Sequence, residues 1–282
     1  MREYSTPAVV EIPASANLTD IVFERAEREP QALIMRRKAA ADSQVWREVT
    51  AAQFRDDVAA LAKGLIAAGI GVGDRVALLS RTRYEWTLAD YAIWSAGAVT
   101  VPIYETSSAE QVEWVLGDSG ASALIVETSQ HEQAVAEVVG QLPAVQRVWL
   151  IEGASDGQAA SGTGPAGGAS LDSLAAEGRA IDDAQLSERR AARSAQDLAT
   201  IVYTSGTTGR PKGCRLSHAN LLADVRNAVG ALPEIFSEPG RSALLFLPLA
   251  HSFARIIQVG CLESGTVLGH TPDVSTLVAD LG

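Results

Sequence analysis

Apolar positions along this chain alternate between two periods. Leu18, Ile21, Val22 and Ala26 recur at helical spacing, and Pro30 closes that segment. Residues 32–35 and 44–49 read as short strands, with Arg36, Arg37 and Lys38 between them as a solvated turn. Thr50 and Gln53 have capping-box spacing, and Phe54, Val58, Leu61 and Leu65 then trace one helical face that ends at Gly69. The glycines at 69, 71 and 73 follow a helix and precede the strand 75–79. A dinucleotide fingerprint needs the reverse order, so these glycines predict a helix C-cap and turn.

The alternation continues. Residues 84–97 predict a helix with Trp86, Ala89, Ile93 and Ala96 inward, and 99–104 a strand whose Pro102 suggests an edge or an irregularity. Ser107 with Glu110 caps a helix carrying Val112, Val115 and Leu116; 123–126 is a buried strand. Ser129 with Glu132 caps a helix carrying Val135, Val138, Val139 and Leu142, and 148–151 is a further strand. Strands and helices in alternation predict an α/β fold, mostly parallel sheets flanked by helices. Residues 153–170, rich in Gly, Ala and Ser, read as a flexible surface loop, and 171–192 as one or two short helices. Asp182, Asp183 and Glu188 there read as a solvated acidic face rather than a metal cluster.

The chemistry gathers at 203–213. The apolar run 198–202 predicts a strand, and Tyr203-Thr204-Ser205-Gly206-Thr207-Thr208-Gly209-Arg210-Pro211-Lys212-Gly213 follows it, ahead of a helix entered near Ser217. The carboxyl end of a strand in an open α/β sheet faces the ligand crevice. Glycines let the backbone come close to a ligand, successive N–H groups can converge on an anion, and the hydroxyls and Lys212 add donors and charge. The stretch suits a polyphosphate. It is not the nucleotide-binding loop ending in Gly-Lys-Ser/Thr, because Pro211 precedes Lys212 and Gly213 follows it. That mismatch argues against an unrelated nucleotide hydrolase. A second strand, 243–247, ends in Pro248-Leu249-Ala250-His251-Ser252-Phe253-Ala254-Arg255.

The first of these stretches resembles the phosphate-loop signature of the adenylate-forming (AMP-binding) superfamily at every position, from Thr204 to Gly213. The second resembles that superfamily's Leu-Pro-Leu-x-His-x-Phe segment, and Glu85-Trp86, 97–104, 107–112 and 118–121 look like its long-chain fatty acyl-CoA synthetase branch. The resemblance implies an ATP-dependent fatty acid–CoA ligase, expected for long chains, using ATP, Mg²⁺ and coenzyme A. It implies that Thr204, Ser205, Gly206, Thr207, Thr208, Gly209 and Lys212 hold the nucleotide phosphates. Thr204 would help to place Mg²⁺, and Lys212 and His251 would serve catalysis. Rival readings are an acyl-AMP ligase feeding a carrier-protein thiol and a non-catalytic nucleotide-binding fragment. His131, His218 and His270 read as surface or packing residues.

Further family segments would supply a magnesium-binding glutamate, adenine contacts, a ribose-binding aspartate, a hinge and a mobile C-terminal domain with its lysine. No candidates for them occur between His251 and Gly282. Residues 1–282 are therefore expected to be a partial N-terminal adenylate-forming domain without ligase turnover of its own. The formal net charge of −11, with no basic cluster, argues against nucleic acid as a partner. Cys214 and Cys261 form no zinc or disulfide pattern and fit a reducing cytoplasm; Cys214 reads as a small residue in a packed strand or turn. Neither a signal peptide nor a bilayer-spanning apolar run is present in the sequence. Weak peripheral membrane attachment would suit substrates that partition into lipid, although no basic amphipathic helix demands it.

Overall fold

A computed structural model describes residues 7–39, 43–152, 168–204, 210–236 and 240–281. In chain order the elements are α1 (Asp20–Arg28), β1 (Leu33–Lys38), β2 (Trp46–Thr50), α2 (Ala51–Ala67), β3 (Arg75–Leu79), α3 (Tyr84–Ser95), β4 (Val99–Ile103), α4 (Ala109–Ser119), β5 (Ala123–Val126), α5 (Ser129–Gln141), β6 (Arg147–Leu150) and β7 (Ala169–Ser170). Then come α6 (Leu171–Glu177), α7 (Asp183–Ala191), β8 (Leu198–Thr204), β9 (Lys212–Ser217), α8 (His218–Ala231), α9 (Pro233–Phe236), β10 (Ser242–Leu245), α10 (Ser252–Ser264), β11 (Val267–His270) and α11 (Leu277–Leu281).

The strands form a seven-stranded sheet in the order β7-β6-β5-β3-β4-β8-β9 and a four-stranded sheet in the order β10-β11-β1-β2. Every pair in the larger sheet is parallel except β8–β9. Its inner strands are apolar on both faces because both are covered. Val76 and Leu78 of β3 face one core with α2 and α3, while Ala77 and Leu79 face a second core with α4 and α5. Helix α3 bridges the two sheets. Trp94 donates its indole N–H to the Ala199 carbonyl on β8, and Thr87 Oγ1 lies 2.8 Å from His270 Nε2 on β11. So α3 is buried nearly all round, beyond the single inward stripe its sequence suggested.

Local chemistry sets the boundaries. Thr50 and Gln53 make the predicted capping box, and α2 ends in a Schellman motif: Gly69, at φ 92°, donates to Ile66, and Ile70 donates to Leu65. Gly64 of α2 meets α6 closely; a Cβ on it would lie 2.1 Å from the Leu174 carbonyl oxygen.

Several expectations need correction. Residues 36–38 continue β1 instead of turning: Lys38 Nζ sits 2.8 Å from the Asp280 carboxylate, with the two side chains 7% and 0% exposed. Pro102 lies on an interior strand, not an edge. The irregularity is real, since the β4–β8 ladder is recorded only at Thr100 and Thr200. The α4 cap is Ser108 with Gln111, one residue beyond Ser107 and Glu110. Thr128, not Ser129, caps α5, and Glu132 instead accepts from the Gly168 N–H. Of the loop 153–170, residues 153–167 lie outside the described residues, while Ala169 and Ser170 form β7 and Ser170 caps α6. The acidic face is exposed as expected, with Asp182 capping α7 and Asp183 paired with Lys63 at 2.6 Å. The histidine reading holds: His218 and His270 are buried packing residues, and His131 lies beside the α5 cap. Among the described residues no helix is long and apolar enough to cross a membrane.

Candidate active site

Strand β8 is buried through Val202, then brings Tyr203 and the exposed Thr204 to its carboxyl end. The chain returns at once as β9, antiparallel, with Thr204 opposite Lys212 and Tyr203 opposite Gly213. The predicted strand–loop–helix is thus a hairpin followed by a helix. Ser205, Gly206, Thr207, Thr208 and Gly209 lie outside the described residues. The two stems flank them, and the exposed Lys212 stands at the hairpin mouth across from Thr204.

Glycine at 213 has a packing reason. A Cβ there would lie 2.8 Å from Ile201 Cγ2 and 3.1 Å from Tyr203 Cζ. The bare backbone lets the tyrosine ring lie across β9 and donate its O–H to Asp118 Oδ2 at 2.6 Å. Burial, then the neighbouring Asp118 carboxylate, pushes the Tyr203 hydroxyl well above the ordinary range, so it stays protonated as a donor. At the exit stem Trp114 Nε1 donates to the Pro211 carbonyl at 2.7 Å, and the Arg210 guanidinium carbon lies 4.6 Å from the centre of the indole ring. Cys214 is on β9, as its strand reading allowed, but its side chain is exposed rather than packed.

His251 arrives from the other sheet. After β10 the chain turns at 247–249, where Thr82 Oγ1 donates to the Leu247 carbonyl at 2.7 Å and accepts from the Leu249 N–H at 3.2 Å. His251 then caps α10, its Nδ1 accepting from the Phe253 N–H at 3.2 Å. That bond assigns the proton of the neutral ring to Nε2, which is left as a donor. The positive end of the α10 dipole lies beside it.

These residues meet in one cleft of about 340 Å³, lined by Pro102, Tyr104, Thr204, Pro211 and His251 among others. It opens at the carboxyl ends of β4 and β8, where their ladder has lapsed. Lys212 is not on its wall but flanks it through Pro211. The strand order reverses between β3 and β5, and that switch point would be the default ligand crevice. Here it holds ion pairs: Arg81 and Arg83 lie 2.7 and 3.3 Å from Glu127, and Arg83 also pairs with Glu85 and Glu152. Burial pushes the Glu127 carboxyl up, but the hydrogen bonds and charge of Arg81, with Arg83, outweigh it and lower the pKa overall. Its charges satisfy one another, whereas the β4–β8 cleft offers hydroxyls and an imidazole, with Lys212 at its flank.

Behind the cleft lies a buried network that sequence reasoning missed. Arg255, one turn into α10 from His251, donates to both carboxylate oxygens of Asp90 on α3 at 2.6 and 2.9 Å. It also donates to Thr200 Oγ1 on β8 at 2.5 Å, and Thr200 in turn donates to the Thr100 carbonyl on β4 at 2.8 Å. The guanidinium lies between Trp86 and Trp94, 5.5 and 5.2 Å from their ring centres. Helix α10 and strand β8, which carry the two halves of the candidate site, are tied together through this one residue. The only sequence signal was a pair of polar residues, Arg255 and Gln258, at helical spacing among apolar neighbours.

A family described as AMP-binding enzyme matches residues 22–280. The chain is 43% identical over 278 residues to the long-chain-fatty-acid–CoA ligase FadD15 of Mycobacterium tuberculosis, covering 99% of this chain and 44% of that relative. Human long-chain-fatty-acid–CoA ligase 1 is 26% identical over 212 residues, covering 73% of this chain and 30% of its own. Among solved structures, a long-chain-fatty-acid–CoA ligase (FadD1) from Archaeoglobus fulgidus superposes with a TM-score of 0.78 at 21% identity, covering 99% of this chain and 51% of that one. The chain spans less than half the length of the curated relatives it matches. With the α/β architecture and the family match running from Val22 almost to the last described residue, this chain belongs to the AMP-binding enzyme family.

Proposed function

We propose that residues 1–282 carry the carboxylate-activating part of an ATP-dependent fatty acid–CoA ligase for long-chain substrates. One observation carries the reading: Thr204 and Pro211, with Lys212 beside them, meet the sequence-distant His251 at a single cleft at the carboxyl ends of parallel strands. The 43% identity to a ligase so named supports the acyl-CoA branch.

A carboxylate is a poor acyl donor because its leaving group would be oxide. In the proposed reaction a carboxylate oxygen bonds to the α-phosphorus of ATP, and the bond to the bridging oxygen breaks, releasing pyrophosphate. A thiol sulfur then bonds to the acyl carbon, AMP departs and the thiol proton is lost. The chain's part is positioning and charge stabilisation. Thr204, Ser205, Gly206, Thr207, Thr208, Gly209 and Lys212 grip the β- and γ-phosphates. His251, with Nε2 as donor, faces the acyl and adenylate groups. Among the described residues no group of three or more His, Cys, Asp or Glu is gathered as a protein-only metal centre would need. The exposed hydroxyl of Thr204 fits the other case, an oxygen donor to a Mg²⁺ ion that keeps most of its contacts with phosphate and water. When bound, such an ion would neutralise the charge developing on the phosphates. The free, exposed thiol of Cys214 fits the reducing, cytoplasmic setting of this proposal.

The test is Lys212→Ala in the full-length protein, with the two half-reactions followed separately. Pyrophosphate exchange should slow by about 100-fold, the scale of removing one charged stabilising donor, with thioester formation from preformed acyl-adenylate little changed. Equal slowing of both steps would refute the role given to Lys212.

A further inference from the structure

Helix α4 is bonded to both stems of the hairpin. At the entry, Tyr203 donates to Asp118; at the exit, Trp114 donates to the Pro211 carbonyl and stacks against Arg210. Trp114 and Asp118 are four residues apart, so they project from one face of the helix. The same helix contributes Gln111 and Val115 to the wall of the cleft. Asp118 sits in the last turn of α4, where a negative charge opposes the helix dipole. Its placement costs the helix something, and the Tyr203 bond is what it gains.

We propose that Trp114 and Asp118 are positioning residues for nucleotide binding, holding the hairpin stems so that Thr204 and Lys212 are already set when the phosphate tail arrives. The Pro211 carbonyl belongs to the peptide that leads into Lys212, so anchoring it fixes the point from which the lysine side chain extends. A hairpin with a loose exit stem would have to be ordered by the ligand, and that ordering entropy would be subtracted from affinity. The effect should fall on ligands that carry β- and γ-phosphates, because those are the groups the hairpin meets. This inference rests on the ATP-binding reading above.

The experiment compares Trp114→Phe with the wild type in the full-length protein. Phenylalanine keeps a ring beneath Arg210 and removes only the N–H. Affinities for MgATP, pyrophosphate and AMP are measured by calorimetry, with urea unfolding in parallel. Loss of one such hydrogen bond predicts MgATP and pyrophosphate binding weakened about 5- to 10-fold, with AMP binding within about twofold of wild type on the same grounds. The wild type should also show a tryptophan emission change on adding MgATP that the variant largely lacks. Tyr203→Phe, which frees the entry stem, should give the same triphosphate-selective loss and serves if Trp114→Phe folds poorly. Unchanged affinities in both variants, or equal weakening of MgATP and AMP, would overturn the positioning role and leave Trp114 as a prop for β9. A wild type that binds no MgATP would overturn the ATP-binding reading itself, and the inference with it.

Discussion

Replacing Arg255 by methionine removes the one charge that neutralises Asp90. Both side chains are buried, at 1% and 0% exposure, so no water can take over. The carboxylate would lose contacts at 2.6 and 2.9 Å and keep neutral partners alone, the Gln258 amide at 3.3 Å and the Thr100 hydroxyl. Thr200 would lose its donor as well. An uncompensated buried charge of this kind costs about 3–5 kcal/mol. Against a total stability of roughly 5–15 kcal/mol, that is a large share. With a urea dependence of about 3 kcal/mol per M, the unfolding midpoint should fall by about 1–2 M. Burying charge is itself expensive, so Asp90→Leu combined with Arg255→Met should recover most of the loss. The assay is urea unfolding of the wild type, both single variants and the double, read as a double-mutant cycle. An Arg255→Met midpoint within about 0.3 M of wild type, on the same slope, would refute the reasoning. So would a double variant no better than the sum of the singles.

Burial holds the His218 imidazole down at about 4, with Asp197 opposing and Arg193 adding to the effect, while the unfolded ring titrates near 6.5. A depressed folded pKa gives stability that is complete above the unfolded value and lost as pH falls towards the folded one. Between pH 7 and pH 5 the protein should therefore lose about 2 kcal/mol through this group. His218→Gln, which keeps an acceptor for the Leu18 N–H, should remove that part of the slope in urea midpoints taken at the two pH values; an unaltered slope would count against it. Gly213→Ala should push the Tyr203 ring off its seat on β9 and break the Asp118 bond, costing about 1–3 kcal/mol by overpacking, and should weaken MgATP binding; a calorimetric affinity equal to wild type would show that the ring's position is immaterial.

Much of the larger sheet could be read in advance because its strands are buried on both faces and come as short apolar runs between amphipathic helices. Residues 75–79 and 123–126 needed nothing beyond that pattern. Strand β9 escaped because Lys212–Ser217 has no apolar alternation; it is an edge strand, mostly exposed, held by backbone pairing with β8. Arg36, Arg37 and Lys38 looked like a turn because the carboxylate that satisfies Lys38 comes from the opposite end of the chain, at Asp280. The caps of α4 and α5 slipped by one residue where hydroxyls stand side by side, and only backbone angles decide between Thr128 and Ser129. The motif located Thr204, Lys212 and His251, but not what holds them. Asp90 and Arg255 are 165 residues apart, and Tyr203 and Asp118 are 85 apart. Neither pairing leaves a local trace.

The central claim is that the hairpin between β8 and β9 receives the phosphate tail of ATP. A crystal structure of the full-length protein with a nonhydrolysable ATP analogue and Mg²⁺ tests it most directly. The account predicts β- and γ-phosphate oxygens within hydrogen-bonding reach of Thr204 Oγ1 and Lys212 Nζ, with the α-phosphate turned into the cleft towards His251. A phosphate tail lodged instead at the Arg81–Arg83 crevice between β3 and β5, with the hairpin empty, would contradict it.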